Sequence, residues 1–184
     1  MNDLKDKKQE SKPESGQQHG TVDLATDAAE MAKLGLEQAR DALAKLPILG
    51  PALWLYARDP RLKFTFLADM DWLVLPPVIL DQCRLYTKNG IPFAFFTWAQ
   101  VSDAVDARLR SGVGKIAPHE WKSGPHVWLI DLVAPFGQAD DMVAELLQTT
   151  LPGESVNALL PDPHQGGKLV VREWPAAPVD STVH

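Results

Sequence analysis

One carboxylate lies in a part of the sequence where charged residues are rare. Asp131 falls inside the segment 126–133, which is otherwise almost entirely apolar and has the length of a buried strand. A buried carboxylate costs free energy unless it is hydrogen-bonded or has a chemical role, and aspartate is depleted in strands. Strand alternation predicts that Asp131 shares its face with Val127, Leu129 and Val133. Asp131 is therefore a candidate functional residue, with a satisfied structural aspartate as the equal alternative.

Histidine is the usual partner of an aspartate in proton transfer, and the chain has five histidines. His126 precedes Asp131 by five positions, so alternation predicts that it lies on the opposite face of the strand. His119 is expected in a surface loop, and His164 in a turn rich in proline and glycine. No pair of histidines has the i, i+4 spacing of helical metal ligands. We therefore expect no metal site and no histidine base beside Asp131.

Other residues that are reactive in many proteins have no supporting context here. Cys83 is the one cysteine, which excludes an internal disulfide and a thiolate-rich metal site. It alternates with Leu85 and is expected to face a packed surface. Ser123-Gly124 lacks the strand–glycine–serine–glycine–helix context of a nucleophile elbow. Four tryptophans are expected in the core: Trp54, Trp98, Trp121 and Trp128.

Composition limits the class of protein. The chain has 184 residues, of which 45% are hydrophobic, and a formal net charge of -6. This is enough apolar material for the core of one domain, and the acidic balance argues against nucleic acid as a partner. The first twenty residues lack the apolar stretch of a signal peptide, and the longest apolar runs are too short to cross a bilayer. We therefore expect a cytoplasmic protein without a transmembrane segment.

The elements that position these residues fall into four parts. The predicted parts are a disordered polar tail 1–22, an N-terminal helix 23–47, a main domain 48–176 and a C-terminal tail 177–184. The helix has Asp27 as its predicted N-cap and is stopped by Pro47. Its narrow seam of small and apolar residues favours a partner-binding helix, including one that forms a homodimer. Packing of this helix on its own domain is an equal alternative.

The main domain combines helices with strands. Asn89-Gly90 separates two alternating segments, 82–88 and 91–98, and predicts a hairpin with a type I′ turn. Further strands are expected near 126–133, 156–160 and 169–174, and helices near 51–59, 102–110 and 140–150. These elements predict an α+β fold with a mixed, mainly antiparallel sheet flanked by helices.

A long run of motifs follows Leu49. The downstream block contains Trp121, Ser123-Gly124, Trp128, Ile130-Asp131 and Ala134-Pro135-Phe136-Gly137. The upstream part contains Leu49-Gly50, Trp54, Pro60, Leu75-Pro76 and Thr97-Trp98-Ala99. In type and spacing the pattern resembles the toxin-activating lysine acyltransferases, cytoplasmic enzymes that fatty-acylate internal lysines of RTX protoxins. The resemblance is clear over 49–137 and weakens toward 174.

The resemblance implies a fold related to GCN5-type acetyltransferases and an acyl transfer from acyl carrier protein to a protein lysine. It implies no bound cofactor, and the single glycine and the proline of 134–137 form a poor cradle for a CoA pyrophosphate. Asp131 matches the family's catalytic aspartate. The family's catalytic histidine lies two residues after Pro60, where this chain has Leu62. The second hypothesis is therefore a noncatalytic module that binds acyl carrier protein or a protein partner.

A small basic group surrounds the position of Leu62. Arg58, Arg61 and Lys63 are candidates for contact with an acidic carrier protein or with a phosphopantetheine phosphate. A solvated surface without a ligand is the alternative for all three.

Overall fold

The structure is a computed structural model that describes residues 24–176, except for the side chains of residues 24–29, 38, 41, 42 and 163. Contacts divide the chain into two units, Met1–Gln38 and Ala39–His184, and the division falls inside the first helix. The predicted tails 1–22 and 177–184 lie outside the described residues. The three predicted boundaries between the four parts of the chain stay predictions.

The first helix, α1 (Leu24–Lys45), begins three residues before the predicted N-cap. Asp27 therefore lies within the helix, and its prediction as the N-cap is wrong. The helix ends before Pro47 as predicted, because proline lacks the amide hydrogen and clashes with the preceding turn, and a short 3-10 helix follows at Leu46–Ile48. A partner-binding or dimerising role for α1 stays a prediction.

Five shorter helices follow in the second unit. They are α2 (Leu49–Tyr56), α3 (Met70–Leu73), α4 (Leu75–Ile79), α5 (Asp103–Arg110) and α6 (Ala139–Thr149). The predicted helix after Pro51 ends at Tyr56, three residues before Asp59. The predictions near 102–110 and 140–150 are confirmed to within one residue.

Five strands form one sheet in the order β1-β2-β3-β4-β5. They are β1 (Cys83–Lys88), β2 (Ile91–Val101), β3 (His126–Val133), β4 (Val156–Asp162) and β5 (Lys168–Trp174). Asn89 and Gly90 connect β1 to β2 with φ values of 53° and 76°, as the predicted turn requires. All neighbours are antiparallel except β3 and β4. The structure therefore confirms the predicted α+β class with a mixed, mainly antiparallel sheet.

Helices cover both faces of the sheet. On one face Leu129 and Trp98 pack with Val143 and Leu146 of α6. On the other face α2, α3 and α4 cover one end of the sheet, and α5 covers a different part. The three clusters together form the core of this unit.

A bulge interrupts β3 beside Asp131. Thr97 of β2 pairs with Asp131, but the next residue, Trp98, pairs with Leu129, so Ile130 is an extra residue. Val127 and Leu129 pack in the α6 cluster, whereas Val133 packs with α2. The prediction that Asp131 shares a face with Val127 and Leu129 is therefore wrong, since a bulge shifts the alternation by one position. The shared face with Val133 is correct.

The parallel contact between β3 and β4 is short. It pairs Val127–Leu129 with Val156–Ala158 and stops there, although β3 runs to Val133 and β4 to Asp162. The C-terminal part of β3 therefore has β2 as a neighbour on one side and no paired strand of the described chain on the other.

The described residues contain neither a membrane-spanning helix nor a cluster of metal ligands. None of the helices between residues 24 and 176 combines the length and the apolar character needed to cross a bilayer. In the same part of the chain, no group of three or more histidine, cysteine, aspartate or glutamate side chains is arranged to hold a metal ion.

Candidate active site

Asp131 is buried and hydrogen-bonded. Its side chain lies under α2 and retains 9% exposure. The Tyr56 hydroxyl donates to Asp131 Oδ2 at 2.7 Å, and the Asp131 backbone N–H donates to Thr97 Oγ1 at 3.1 Å. The bulge and these two contacts hold the carboxylate at the α2 face of the sheet.

The sequence of α2 accounts for the position of Tyr56. Ala52, Leu55 and Tyr56 are its buried residues, at the i, i+3 and i+4 spacing of one helical face. That face packs on Phe95 of β2 and Val133 of β3. Tyr56 lies at the end of the helix, so its hydroxyl reaches the strand at Asp131 while its ring stays in the core.

A second buried carboxylate lies in the loop that follows α2. Asp59 accepts hydrogen bonds from the Arg61 side chain, at 3.1 Å to Oδ1 and 2.8 Å to Oδ2, and from the Arg61 backbone N–H. Arg61 also donates to the carbonyl of Leu132 at 3.1 Å, which ties this loop to the end of β3. We call Tyr56, Asp59, Arg61 and Asp131 the carboxylate cluster.

The environment separates the acidities of the two carboxyl groups. Burial raises the pKa of Asp131 to about 6, against the opposing effects of the Tyr56 hydrogen bond and the Arg61 charge. Burial also acts to raise the pKa of Asp59, but the hydrogen bonds and charge of Arg61 hold it below its ordinary value. Asp131 is thus ionised at neutral pH yet more basic than an exposed carboxylate. This is the property expected of a group that exchanges protons.

A cleft of about 270 Å³ opens beside the cluster. Tyr56 and Leu62 both contribute to its wall. Most of the remaining lining is apolar, including Leu53, Phe66 and Met70. The position at which the family resemblance requires a histidine therefore lies in the same cleft as the tyrosine that contacts Asp131.

The three predicted basic candidates have different environments. Arg61 is paired with Asp59, so its charge is compensated within the cluster. The Arg58 guanidinium lies 3.6 Å from the ring centroid of Trp54, and the Lys63 amine lies 5.0 Å from the ring centroid of Phe64. Arg58 and Lys63 are exposed, and no described carboxylate forms a salt bridge with either.

No described histidine hydrogen-bonds Asp131. His126 Nε2 lies 2.6 Å from Asp103 Oδ1 at the opposite end of β3. The bulge places His126 and Asp131 on the same face, so the predicted reason for excluding His126 is wrong, although its separation along the strand still keeps it away. His119 and His164 are exposed as predicted, in the short 3-10 helices Pro118–Glu120 and Pro163–Gln165.

Cys83 is a packing residue. It is half-buried beside Leu85, against the apolar residues under α2, α3 and α4, as predicted. Burial, with Asp81 adding to it, raises the pKa of the thiol to about 11. The thiol is therefore protonated at neutral pH, which does not suit a nucleophile.

The motif residues Trp121, Ser123 and Gly124 form a structural unit that we call the clamp. Trp121 is fully buried, and its indole N–H donates to the Trp72 carbonyl at 3.0 Å. The Ser123 hydroxyl accepts from the Ser102 N–H at 3.0 Å. A Cβ on Gly124 would lie 2.5 Å from Ser102 Cα, so the chain approaches too closely for any side chain. Ser123-Gly124 thus has a packing role, as the missing elbow context predicted.

The other three tryptophans that were expected in the core also have packing roles. Trp98 and Trp128 are buried in the core, and the Trp128 indole N–H donates to Asp106 Oδ1 at 2.8 Å. Trp54 is half-buried and lies against Phe136, with ring centroids 5.9 Å apart.

Tyr56 is the site residue that the sequence analysis missed. Its helical spacing with Ala52 and Leu55 indicates burial, and a buried tyrosine usually hydrogen-bonds through its hydroxyl. Asp131 was equally expected to need a partner. Two buried polar side chains in one small domain are a signal that the sequence contained, but the fold was needed to bring them together.

Comparisons with known proteins place this site in a family. A profile of the RTX toxin acyltransferase family matches residues 41–175. The lysine-acyltransferase RtxC of Vibrio cholerae serotype O1 is 38% identical over 100 residues, which cover 54% of this chain and 65% of RtxC. The leukotoxin-activating lysine-acyltransferase LktC of a Pasteurella haemolytica-like species is 26% identical over 122 residues, 66% of this chain and 74% of LktC. The protein-lysine myristoyltransferase HlyC of Escherichia coli is 30% identical over 118 residues, 64% of this chain and 69% of HlyC.

The fold and the site define an α+β protein with a buried carboxylate beside an apolar cleft, and the family match includes both. The chain belongs to the RTX toxin acyltransferase family. This confirms the resemblance based on the sequence motifs. The alignment with RtxC spans 65% of that protein's length, just under two thirds.

Proposed function

We propose that this protein transfers a fatty acyl group from acyl carrier protein to an internal lysine of an RTX-type protein. The observation that carries the proposal is the buried Asp131, hydrogen-bonded to Tyr56 at the wall of an apolar cleft. The names of the relatives support the reaction class, since they include lysine-acyltransferases and a protein-lysine myristoyltransferase.

The chemistry requires a proton acceptor. A lysine amine has an ordinary pKa of about 10.4, so it is protonated at neutral pH and must lose a proton before it attacks a thioester. The pKa of Asp131, raised to about 6 by burial, makes this carboxylate a better acceptor than an exposed aspartate while leaving it ionised. Asp131 suits the role that the family resemblance assigns to it.

The apolar surface beside the cluster suits a hydrocarbon chain. A second cleft of about 530 Å³ adjoins the first and shares Leu53, Leu67 and Met70 with it. Phe66, which lines the first cleft, and Leu67, which lines both, are 74% and 83% exposed. Covering such side chains with an acyl chain is favourable by roughly 25 cal/mol per Å² of apolar surface buried. We infer that the acyl chain of the donor lies along these residues, with the donor thioester near Tyr56.

Two features of the molecule support acyl carrier protein as the donor. Within the described chain, β3 has no paired strand beyond Leu129 on its β4 side. An extended phosphopantetheine arm with its two amides can pair with such an edge. Arg58 and Lys63 offer positive charge for its phosphate or for an acidic carrier protein. The relation to GCN5-type acetyltransferases and the cytoplasmic location stay predictions.

A noncatalytic module is the second candidate. It is favoured by Leu62, which cannot exchange protons, and by the finding that no described histidine hydrogen-bonds Asp131. Such a module would bind the acylated carrier or a protein partner in the same cleft without transferring the acyl group.

The first test is an acyl-transfer assay with the full chain. The protein is incubated with acyl carrier protein bearing a radiolabelled myristoyl group and with a candidate RTX-type protein as the acceptor. We expect label on an acceptor lysine, located by mass spectrometry, and a rate lowered about 100-fold or more in Asp131→Ala. Asp141→Ala, which removes an exposed carboxylate on α6, is the matched control and is expected to keep the rate.

The two candidates predict different results in this assay. Tight binding of the acylated carrier without any transfer would favour the noncatalytic module. Transfer that persists in Asp131→Ala would contradict the assignment of Asp131.

A further inference from the structure

Asp131 contacts the hydroxyl of Tyr56. The family resemblance implies a histidine as the partner of this aspartate. The Tyr56 hydroxyl lies 2.7 Å from Asp131 Oδ2, and no other described side chain is hydrogen-bonded to this carboxylate. Tyr56 and Leu62 line the same cleft. The cleft therefore keeps a group that can carry a proton to Asp131, although the histidine position itself holds a hydrocarbon side chain.

We propose that Tyr56 replaces the missing histidine by accepting a proton from the attacking lysine amine while its own phenolic proton moves to Asp131. The inference rests on the proposed acyl transfer and names the residue that performs its proton chemistry. In this proposal Tyr56 Oη takes the proton of the amine directly, so Tyr56 is the catalytic residue. Asp131, which acts through Tyr56, is a positioning residue that stores the proton.

The step balances without any further reactant. The neutral lysine nitrogen forms a bond to the thioester carbon, and its excess proton passes to Tyr56 Oη as the phenolic proton passes to Asp131 Oδ2. The carbon–sulfur bond then breaks and the electron pair leaves on the thiol of the donor. The proton stored on Asp131 returns through Tyr56 to that sulfur. The products are an amide and a free thiol, and Tyr56 and Asp131 regain their starting forms.

The electrostatics favour a concerted transfer over a free phenolate. Burial and the charge of Asp131 raise the pKa of Tyr56 well above its ordinary value, so the hydroxyl keeps its proton until another proton arrives. Burial raises the pKa of Asp131 to about 6, which lets it hold the proton during the reaction. The titratable groups that face this pair are Asp59 and Arg61 from the loop after α2, and Cys83 from β1.

The pair is carried by rigid elements, as proton transfer over a short distance requires. The Tyr56 ring packs in the core against Phe95, with ring centroids 6.3 Å apart. Asp131 is held from its backbone by Thr97, and Arg61 ties the loop after α2 to Leu132. The donor and acceptor oxygens are therefore aligned before any substrate binds.

The test compares the two tyrosines of the chain in the acyl-transfer assay described above. Tyr56→Phe removes only the hydroxyl and is expected to lower kcat about 100-fold with little change in KM. Tyr86→Phe is the matched control. Its hydroxyl donates to the Met142 carbonyl on the α6 side of the sheet, and its rate is expected to stay at the wild-type value.

Two further measurements separate proton transfer from simple structural support. Adding Leu62→His to the Tyr56→Phe variant is expected to raise the transfer rate of that variant at least tenfold. In the wild-type protein, a plot of log rate against pH is expected to have a slope of about one above pH 6, from the lysine, and about two below it, from protonation of Asp131. Asp131→Asn is expected to remove the steeper part.

The outcomes distinguish this inference from the function on which it rests. Wild-type transfer that survives in Tyr56→Phe at more than half its rate overturns the relay and leaves the acyltransferase standing. A wild-type pH profile without the steeper part also overturns the relay, even if Tyr56→Phe fails to fold. Absence of transfer by the wild-type protein overturns both.

Discussion

The clamp and the carboxylate cluster both come from segments that carry the family motifs, yet their physical character is opposite. The clamp has an uncharged, fully buried tryptophan and a glycine at a close backbone approach. Its indole and hydroxyl groups are hydrogen-bonded to backbone groups of Trp72, Ser102 and Glu120. The cluster has two buried carboxylates, one of which has a pKa moved to about 6 by burial. The clamp lowers the free energy of the folded state, whereas Asp131 raises it.

This difference separates motif residues by role. A residue whose contacts are all satisfied and uncharged is explained by folding alone. A residue that costs stability and lies beside a cleft needs another explanation, and function is the usual one. Of the matched motif residues, Asp131 is in the second group, and Trp121, Ser123 and Gly124 are in the first.

The largest effect on stability is expected at Gly124. In Gly124→Ala the new Cβ would lie 2.5 Å from Ser102 Cα and 2.6 Å from the Val101 carbonyl oxygen, and backbone atoms cannot rotate away. We expect the free energy of unfolding to fall by about 3 kcal/mol, measured by urea denaturation. Gly50→Ala is the control, because a Cβ at Gly50 meets nothing within 4 Å. Equal stability of the two variants would contradict a stabilising role for the close backbone approach at Gly124.

The next largest effect is expected at Asp131, where a substitution should raise the free energy of unfolding instead of lowering it. The folded-state pKa of Asp131, about 6, lies above the value of about 3.9 in an unfolded chain. Between these pH values the folded protein keeps a proton that the unfolded chain has released, so stability falls as pH rises from about 4 to 6. Asp131→Asn removes this cost and is expected to raise the free energy of unfolding by about 1–2 kcal/mol at pH 7, with little gain at pH 4.

Asp59 provides the contrast within the same cluster. Arg61 holds its pKa below the ordinary value, so its ionised form stabilises the folded protein and that contribution is lost as pH falls through the folded pKa. Asp59→Asn is therefore expected to lower stability at pH 7, by denaturation under the same conditions. A loss of stability in Asp131→Asn as well would show that both carboxylates are structural.

The smallest effect is expected at Ser123. Its hydroxyl accepts from the Ser102 N–H and donates to the Glu120 carbonyl, and Ser123→Ala is expected to cost about 1 kcal/mol. Ser111→Ala serves as the control, because its hydroxyl contacts only the carbonyl of Arg108 on an exposed turn. Acyl transfer should stay at the wild-type rate in folded Ser123→Ala. A rate loss there without a stability loss would assign chemistry to the clamp.

Most elements of the sheet followed from local pattern. The turn at Asn89-Gly90 and the strand at His126–Val133 were predicted with correct bounds, because positive φ at two adjacent residues and a continuous apolar run are local signals. The start of α1 was not predicted correctly. Asp27 has the chemistry of an N-cap, but the helix already begins at Leu24. The single parallel pairing of β3 with β4 also depends on contacts between distant segments.

The candidate site was predicted in part. Asp131 stood out because a carboxylate in an apolar strand conflicts with its surroundings, and that conflict is visible in the sequence. Its face was misjudged because Ile130 is an ordinary strand residue, and nothing local marks it as a bulge. Tyr56 has the helical spacing of a packing residue of α2, which accounts for its buried ring but does not indicate that its hydroxyl contacts Asp131.

The sequence by itself determined the α+β class, the family and the leucine at position 62, where the resemblance implies a histidine, since each depends on residue type and spacing along the chain. The tertiary structure alone decided which side of the sheet Asp131 faces and which group contacts it. One extra residue in β3 turns the carboxylate from the α6 face to the α2 face. There, 75 positions away in the chain, the hydroxyl of Tyr56 meets it.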